Sequence, residues 1–476
     1  MKSNSRKPNV LLICTDHWPG PLMGAAGHEY IMTPTLDYMC ENGIRFENAY
    51  TETPTCVPAR RALMTGTCAK THGDRVFSNL PMKPELTTMA QAFRNAGYQA
   101  YAVGKLHVSP QRDRIGFDDA YINEEGRMIG QLDDYQLFIR QEGFAGEEYA
   151  HGMGQNMYTA RPWHLPEYCH PTYWTTREMC KIIKRRDPTR PAFWYCSYVA
   201  PHPPLVPPRD YWDMYMNMDI DQPVMGDWAK DKDNLPYGAW YVSVNHPGPG
   251  SPKQVEIARK AFYAQCTYID SQIRLLIGTL REENLIDSTI IMFTADHGDM
   301  LGHHGMWAKP YMYEYSAKIP MILMPLDRNL QNKVDDRLVE LRDVMPTLLD
   351  MCDISIPDTV EGISMIRDKK REYLYCEHSE GENAIRMIRK EDFKLIYYPV
   401  GNRIQLFNIK EDPMELMDLS EDKSYENIIN EMKQLLIKNL YGSDLEWFSD
   451  GKLVGLPEKK RECKASRHFF SQRGWR

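Results

Sequence analysis

Four short apolar runs, spread over more than half of the chain, each stop abruptly at side chains able to bind an ion or carry a proton. Val10 to Thr15 ends at Asp16-His17, and Tyr98 to Val103 ends at Gly104-Lys105-Leu106-His107. Phe193 to Val199 ends at Ala200-Pro201-His202, and Thr289 to Ala295 ends at Asp296-His297-Gly298-Asp299. Short continuous apolar runs are the mark of strands covered on both faces. Helical patterns lie between them. Pro34 to Asn42 places Leu36, Met39 and Cys40 on one face before Gly43, Leu86 to Ala96 groups Met89, Ala90 and Phe93 before Gly97, and Lys253 to Glu283 reads as a longer helix. Strands alternating with helices predict an α/β fold with a large, mostly parallel sheet sandwiched by helices. Ligands of such sheets collect beyond the carboxyl ends of the strands, so the four polar ends are expected to meet at one site.

Beyond about Asp350 the pattern shortens to strands such as Lys394 to Tyr398 and Ile404 to Phe407, followed by a helix near Tyr425 to Leu440. The expected organisation is a main domain over residues 1–350, a smaller α+β subdomain over 351–450 and a basic aromatic tail over 451–476. The tail carries Lys459, Lys460, Arg461, Lys464, Arg467, Arg473 and Arg476 and reads first as a solvated tail, second as an arm reaching a neighbouring subunit of a homo-oligomer. A formal charge of −8 excludes a general nucleic-acid binder, yet a few convergent cations can still focus a positive field on an anionic substrate. Met1 to Asn9 is basic like the start of a secretion signal, but the following apolar run stops at Thr15-Asp16, and no span approaches membrane length. A cytoplasmic protein with no membrane partner is expected. The eleven cysteines contain no C-x-x-C pair, and no disulfide framework is expected.

The segment Thr55-Cys56-Val57-Pro58-Ala59-Arg60-Arg61-Ala62-Leu63-Met64-Thr65-Gly66 carries the most chemistry. Pro58 suits the first turn of a helix, where its missing N–H costs nothing, and Gly66 suits the stop. Cys56 is thereby placed at a helix N-terminus, where free N–H groups and the macrodipole favour negative charge. Arg60, four residues on, shares its face and can present a planar fork to an oxyanion. Asp16 and Asp296, at two strand ends far apart in sequence, suit a hard divalent cation.

Cys56-x-Pro58-x-Arg60 with Leu63-x-Thr65-Gly66 resembles the signature of the type I sulfatases, members of the alkaline phosphatase superfamily. Pro8 to Ile13 with Asp16, Gly104 to His107, Pro201-His202-x-Pro204, Asp296-His297-Gly298, Gly305 to Lys309 and Gln405 to Pro413 match that family in order. The resemblance implies an alkaline phosphatase-like fold and a sulfuric ester hydrolase acting on a sulfate monoester of an aryl or carbohydrate alcohol. It implies that a maturation enzyme oxidises Cys56 to formylglycine, whose hydrated aldehyde attacks sulfur. It assigns Asp16, His17, Cys56, Asp296 and His297 to a metal shell, and Arg60, Lys105 and Lys309 to the anion. It makes His202 the general acid and His107 the group that holds or deprotonates the formylglycine hydroxyl. Asp299 and His304 are expected to hydrogen-bond behind the site.

Calcium is the family's first expectation. Many members, however, have Asp and Asn where this chain has His17 and His297, which leaves manganese or zinc open and also resembles the phosphonate monoester hydrolases. A phosphonate monoester or phosphodiester hydrolase therefore stays as the second reading, and an unconverted, non-catalytic anion or metal binder as the third. The alcohol should be read by the Trp-, Tyr- and His-rich stretches Pro110 to Cys180 and Leu205 to Pro252 together with the C-terminal unit.

Overall fold

The computed structural model describes residues 7–125 and 132–462. Within them eight strands form one mixed sheet: β1 (Asn9–Asp16), β2 (Ile44–Tyr50), β3 (Gln99–Gly104), β4 (Asp119–Ile122), β5 (Ala192–Pro201), β6 (Thr289–Ala295), β7 (Met321–Met324) and β8 (Lys333–Glu340). Their order is β4-β3-β5-β1-β6-β7-β2-β8. The four runs read from the sequence are β1, β3, β5 and β6, and they are neighbours. β3 pairs with β5, β5 with β1 and β1 with β6, all parallel. Their carboxyl ends therefore open on one edge of the sheet. β7 runs antiparallel to β6 and β2, which makes the sheet mixed.

Every residue of β1 and β6 is buried, because helices cover both faces and no alternate position has to meet water. The helix Pro252–Glu282 starts behind Ser251, whose hydroxyl accepts the Gln254 N–H, and has Pro252 in its first turn. The helix expected from Leu86 begins instead at Met89, because the Thr88 hydroxyl accepts the Gln91 N–H and fixes the first turn there. Asp270 of the long helix accepts the N–H groups of Thr35 (3.0 Å) and Leu36 (2.8 Å), so it caps the helix Pro34–Glu41 from outside.

The C-terminal strands β9 (Tyr373–His378), β10 (Ile385–Lys390), β11 (Phe393–Tyr398) and β12 (Arg403–Asn408) form an antiparallel sheet in the order β12-β11-β10-β9. Alternation sorts its faces. Ile388, Leu395 and Leu406 pack on Ile429, Met432 and Leu436 of the helix Glu426–Asn439, while Met387, Ile396 and Phe407 face the main domain with Met312, Tyr313 and Trp240. Residues 451–462 of the expected tail are largely exposed, as a solvated segment would be, but they are tied to the C-terminal sheet. β13 (Phe448–Ser449) and β14 (Lys452–Leu453) make a hairpin, and Leu456 exchanges backbone hydrogen bonds with Pro399 and Gly401. Lys464, Arg467, Arg473 and Arg476 lie outside the described residues, as does Cys463; the ten described cysteines are free thiols. No described helix is long and apolar enough to cross a membrane.

Candidate active site

Each strand end delivers its side chains through a local backbone device. Gly104, at φ +101°, closes β3 where a Cβ would lie 1.8 Å from the Ser197 carbonyl oxygen, so only glycine lets Lys105 turn inward, with its own N–H on that oxygen at 2.9 Å. His17, directly after β1, sits at φ 72°, a conformation a side chain resists and that a functional site tends to hold. The helix Cys56–Thr65 begins at the cysteine itself. Thr55 gives it no side-chain cap but bonds His378 Nδ1 at 3.1 Å, and Gly66 ends it at φ 66°. Its N-terminal end therefore stays uncapped by any side chain.

These devices bring Asp16, His17, Cys56 and His297 together, with one donor atom from each lying within 4.8 Å of the others and all four side chains buried. Cys56 Sγ is 3.2 Å from His297 Nε2 and 3.7 Å from Asp16 Oδ1. Asp296 stands just outside that group. Its Oδ2 accepts Arg60 Nε at 2.8 Å and its Oδ1 lies 3.6 Å from His297 Nε2. Arg60 Nη1 donates to the Lys105 carbonyl, Ser197 Oγ and Tyr195 OH, while Nη2 has no hydrogen-bond partner among the described residues and lies 3.7 Å from Asp16 Oδ2. Lys105 bridges Asp16 and Glu125, and Lys309 donates to His17 Nε2.

The imidazole tautomers follow from their partners, since a carbonyl or carboxylate can only accept. His297 Nδ1 donates to the Gly298 carbonyl (2.9 Å), His17 Nδ1 to Asp299 (2.7 Å) and His202 Nδ1 to the Pro203 carbonyl (2.6 Å). The Nε2 atoms of His297 and His17 lie 3.4 and 3.7 Å from Asp16 Oδ1, and that of His202 has no hydrogen-bond partner among the described residues although the ring is buried. Burial works against the charge of His297, but Asp296 and the Cys56 sulfur outweigh it and hold the ring above the ordinary imidazole value, so its Nε2 favours a proton that a cation would displace. The His17 ring lies between the other two, with centroids 4.3 Å from His202 and 4.6 Å from His297. Burial holds His17 and His202 neutral, His202 at about 3, with Lys309 adding to the effect. Burial and Asp16 push the Cys56 thiol up, but Lys309, Lys105 and His297 outweigh them and leave it below its ordinary value. Burial also raises Asp299 to about 6, against the Tyr158 hydroxyl that donates to it.

A cavity of about 250 Å³ reaches Cys56 and Lys309 from the surface, lined also by Phe77, Asn156, Tyr241 and His378. His107 packs its ring on Phe77 at 5.4 Å, and Glu124 accepts the N–H groups of Leu106 and His107.

Comparison with known proteins supplies the family. The sulfatase family model matches residues 8–354, and the model of the N-sulphoglucosamine sulphohydrolase C-terminal region matches residues 302–441. The chain belongs to the sulfatase family.

An arylsulfatase of Clostridium perfringens is 37% identical over 95% of this chain and 98% of its own length, and a choline-sulfatase of Rhizobium meliloti is 27% identical over 87% and 83%. The phosphonate monoester hydrolase of Agrobacterium radiobacter shares the fold, with a TM-score of 0.76 at 20% identity over 90% of this chain and 95% of its own. As a sulfatase, the protein is an enzyme of the alkaline phosphatase superfamily, and its mixed sheet with a small antiparallel C-terminal sheet is the architecture of those relatives.

The structure gathers Asp16, His17, Cys56, Arg60, Lys105, His202, Asp296, His297 and Lys309 at this sulfatase's strand ends, with His107 beside the cleft. His304 is elsewhere, accepting the Gly226 N–H and packing on Trp228. Reading the sequence missed Glu124, Glu125, Tyr158, Tyr195 and Ser197. Tyr195 and Ser197 did leave a signal: two polar residues at alternate positions of an otherwise apolar run point to the same face.

Proposed function

We propose that this sulfatase hydrolyses sulfate monoesters through formylglycine at position 56 with one divalent cation. The observation that carries the reading is the convergence of the Cys56, Asp16, His17 and His297 donor atoms on one buried point ringed by Arg60, Lys105 and Lys309.

The donor set fits a cation. His297 Nε2 and Asp16 Oδ1 face the same space, with Asp296 Oδ1 beside them. Imidazole nitrogen favours manganese or zinc over the oxygen-seeking calcium that the family first suggests. His17 reaches the ion only if Lys309 gives up its Nε2, so Asp16, Asp296, His297 and residue 56 are the nearer ligands. Such an ion would orient the nucleophile and neutralise the ester's anionic oxygens.

Formylglycine, made from Cys56 by a maturation enzyme, supplies a hydrated aldehyde whose one hydroxyl attacks sulfur and whose other expels sulfate as the aldehyde re-forms. Arg60, Lys105 and Lys309 hold the sulfuryl oxygens at the end of the helix Cys56–Thr65. His202 delivers the proton to the departing alkoxide from Nε2 while its Nδ1–H stays on the Pro203 carbonyl. That Nε2 is neutral in the free protein, and a bound ester's negative charge beside the ring shifts it toward protonation. His107, its backbone held by Glu124, takes the proton from the second hydroxyl. The relationship to an arylsulfatase supports an aryl sulfate as the test substrate.

The reading is tested by peptide mass spectrometry across position 56 in protein from a host able to convert it, together with hydrolysis of 4-nitrophenyl sulfate. Converted protein that leaves the ester intact would overturn it. His297 favours one second reading, a phosphonate monoester or phosphodiester hydrolase. Faster turnover of a phenylphosphonate ester than of the sulfate would establish that instead.

A further inference from the structure

Two cavities meet on the helix Tyr237–Asn245. One is the cleft to Cys56; the other, of about 560 Å³, is lined by Tyr237, Trp240, Val244, Glu382, Lys459 and Lys460. Tyr241 and Asn245 line both. The adjacent turn Gly381–Asn383 does the same from across the gap, with Asn383 on the catalytic side and Glu382 on the far side. Tyr241 and Asn245, four residues apart, stand one above the other on one helix face, separated by about 6 Å of rise, comparable to one pyranose ring.

The far wall is built by the basic tail. Lys459 pairs with Glu382 and stands 5.7 Å over the Tyr237 ring, and Arg461 stands 5.9 Å over Trp240. The lining is mixed in charge, with Lys459 and Lys460 against Glu382 and Glu462, so a polyanion would meet carboxylates as often as cations. A purely apolar guest would leave those charges without water. Paired donors and acceptors beside aromatic rings suit a sugar, whose hydroxyls bond to charged groups while its C–H face lies on a ring; Tyr241, 39% exposed, offers that ring at the crossing point.

We propose that the second cavity is a subsite for the neighbouring sugar of a sulfated saccharide. The sulfated unit occupies the cleft at position 56, and the chain crosses Tyr241 and Asn245 to reach the lysines of the tail. This rests on the hydrolase reading above and extends it to the alcohol. The substrate class is then an oligosaccharide of at least two units, with the second unit uncharged.

The test measures kcat/KM on a panel of sulfated monosaccharides and the disaccharides carrying the same sulfated residue, with 4-nitrophenyl sulfate read in parallel. At least one disaccharide should exceed its monosaccharide by about tenfold, which corresponds to about 1.4 kcal/mol, through KM. Val244→Trp, which intrudes on the second cavity beside the crossing point, and Lys460→Ala should erase that advantage through KM while the aryl ester, which fits in the first cleft, keeps its rate. An advantage that is absent, or that survives both variants, overturns the subsite and leaves the hydrolase reading standing, as does cleavage of the aryl ester with no saccharide. Converted protein inert on every sulfate overturns both.

Discussion

Two regions of the molecule bury charge equally deeply and use it in opposite ways. Beneath the C-terminal sheet, Lys394 is wholly enclosed and donates to Glu415, Glu314 and the Met312 carbonyl, while Tyr50 donates to Glu314. Burial works against the Lys394 charge, and the two carboxylates outweigh it. At the strand ends Asp16 is equally enclosed, yet among the described residues His202 Nε2 and Arg60 Nη2 have no hydrogen-bond partner. The first cluster spends its hydrogen bonds on itself and joins two layers; the second keeps unsatisfied groups for a guest. Buried charge with every partner in place marks architecture, and buried charge left short of partners marks chemistry.

The comparison predicts that variants in the two regions separate activity from stability. Cys56→Ala should lower turnover of 4-nitrophenyl sulfate by about 10⁴-fold or more, on the scale of losing a covalent nucleophile, with the melting temperature unchanged. A matching loss of stability would show that the site is structural after all. Lys394→Met leaves two carboxylates buried without their cation and should cost about 3–5 kcal/mol in urea unfolding, while activity per folded molecule persists. Asp299→Asn keeps an acceptor for His17 but removes the charge that orients the ring. Cation affinity, read by calorimetric titration of the metal-stripped protein with manganese or zinc, should fall by no more than about 10-fold, because His17 joins the ion only after Lys309 leaves its Nε2.

A separate effect belongs to Asp270, which lies in neither cluster. Burial raises it to about 6 although it accepts the N–H groups of Thr35 and Leu36. A carboxyl whose folded pKa exceeds its unfolded value binds its proton more tightly when folded. Its contribution to stability is complete below about pH 4 and is lost as the pH rises through 6. Urea midpoints measured from pH 4 to pH 7 should therefore fall more steeply for the wild type than for Asp270→Asn, by on the order of 1–3 kcal/mol across the window. Parallel profiles would show that the group titrates normally.

Much of the site is legible in the sequence, for reasons visible in particular residues. β1, β3, β5 and β6 stood out because strands buried on both faces carry no alternating polar positions, so Asp16, Lys105, His202 and Asp296 break the runs sharply. Pro58 and Gly66 bracketed the helix that presents Cys56. What stayed hidden depended on contacts across the chain. Glu125 reaches Lys105, and Tyr158 reaches Asp299, from segments with no period to read, and Asp299 meets His17 across 282 residues of sequence. The tail's basic residues resemble any solvated run, and nothing in their pattern shows that Lys459 and Arg461 stand over the rings of Tyr237 and Trp240.

The strand order carries a consequence in time. β1 is made first but lies between β5 and β6, so its partners are the last of the four to leave the ribosome. At translation rates of about 5–20 residues per second, roughly 15 to 55 s separate the synthesis of β1 from that of β6. Throughout that interval β1, buried at every residue in the finished fold, lacks one of its two neighbours, and Cys56, 1% exposed once folding is complete, is not yet enclosed by His297. The growing chain thus leaves a strand edge open to chaperone capture or self-association until the last strand arrives.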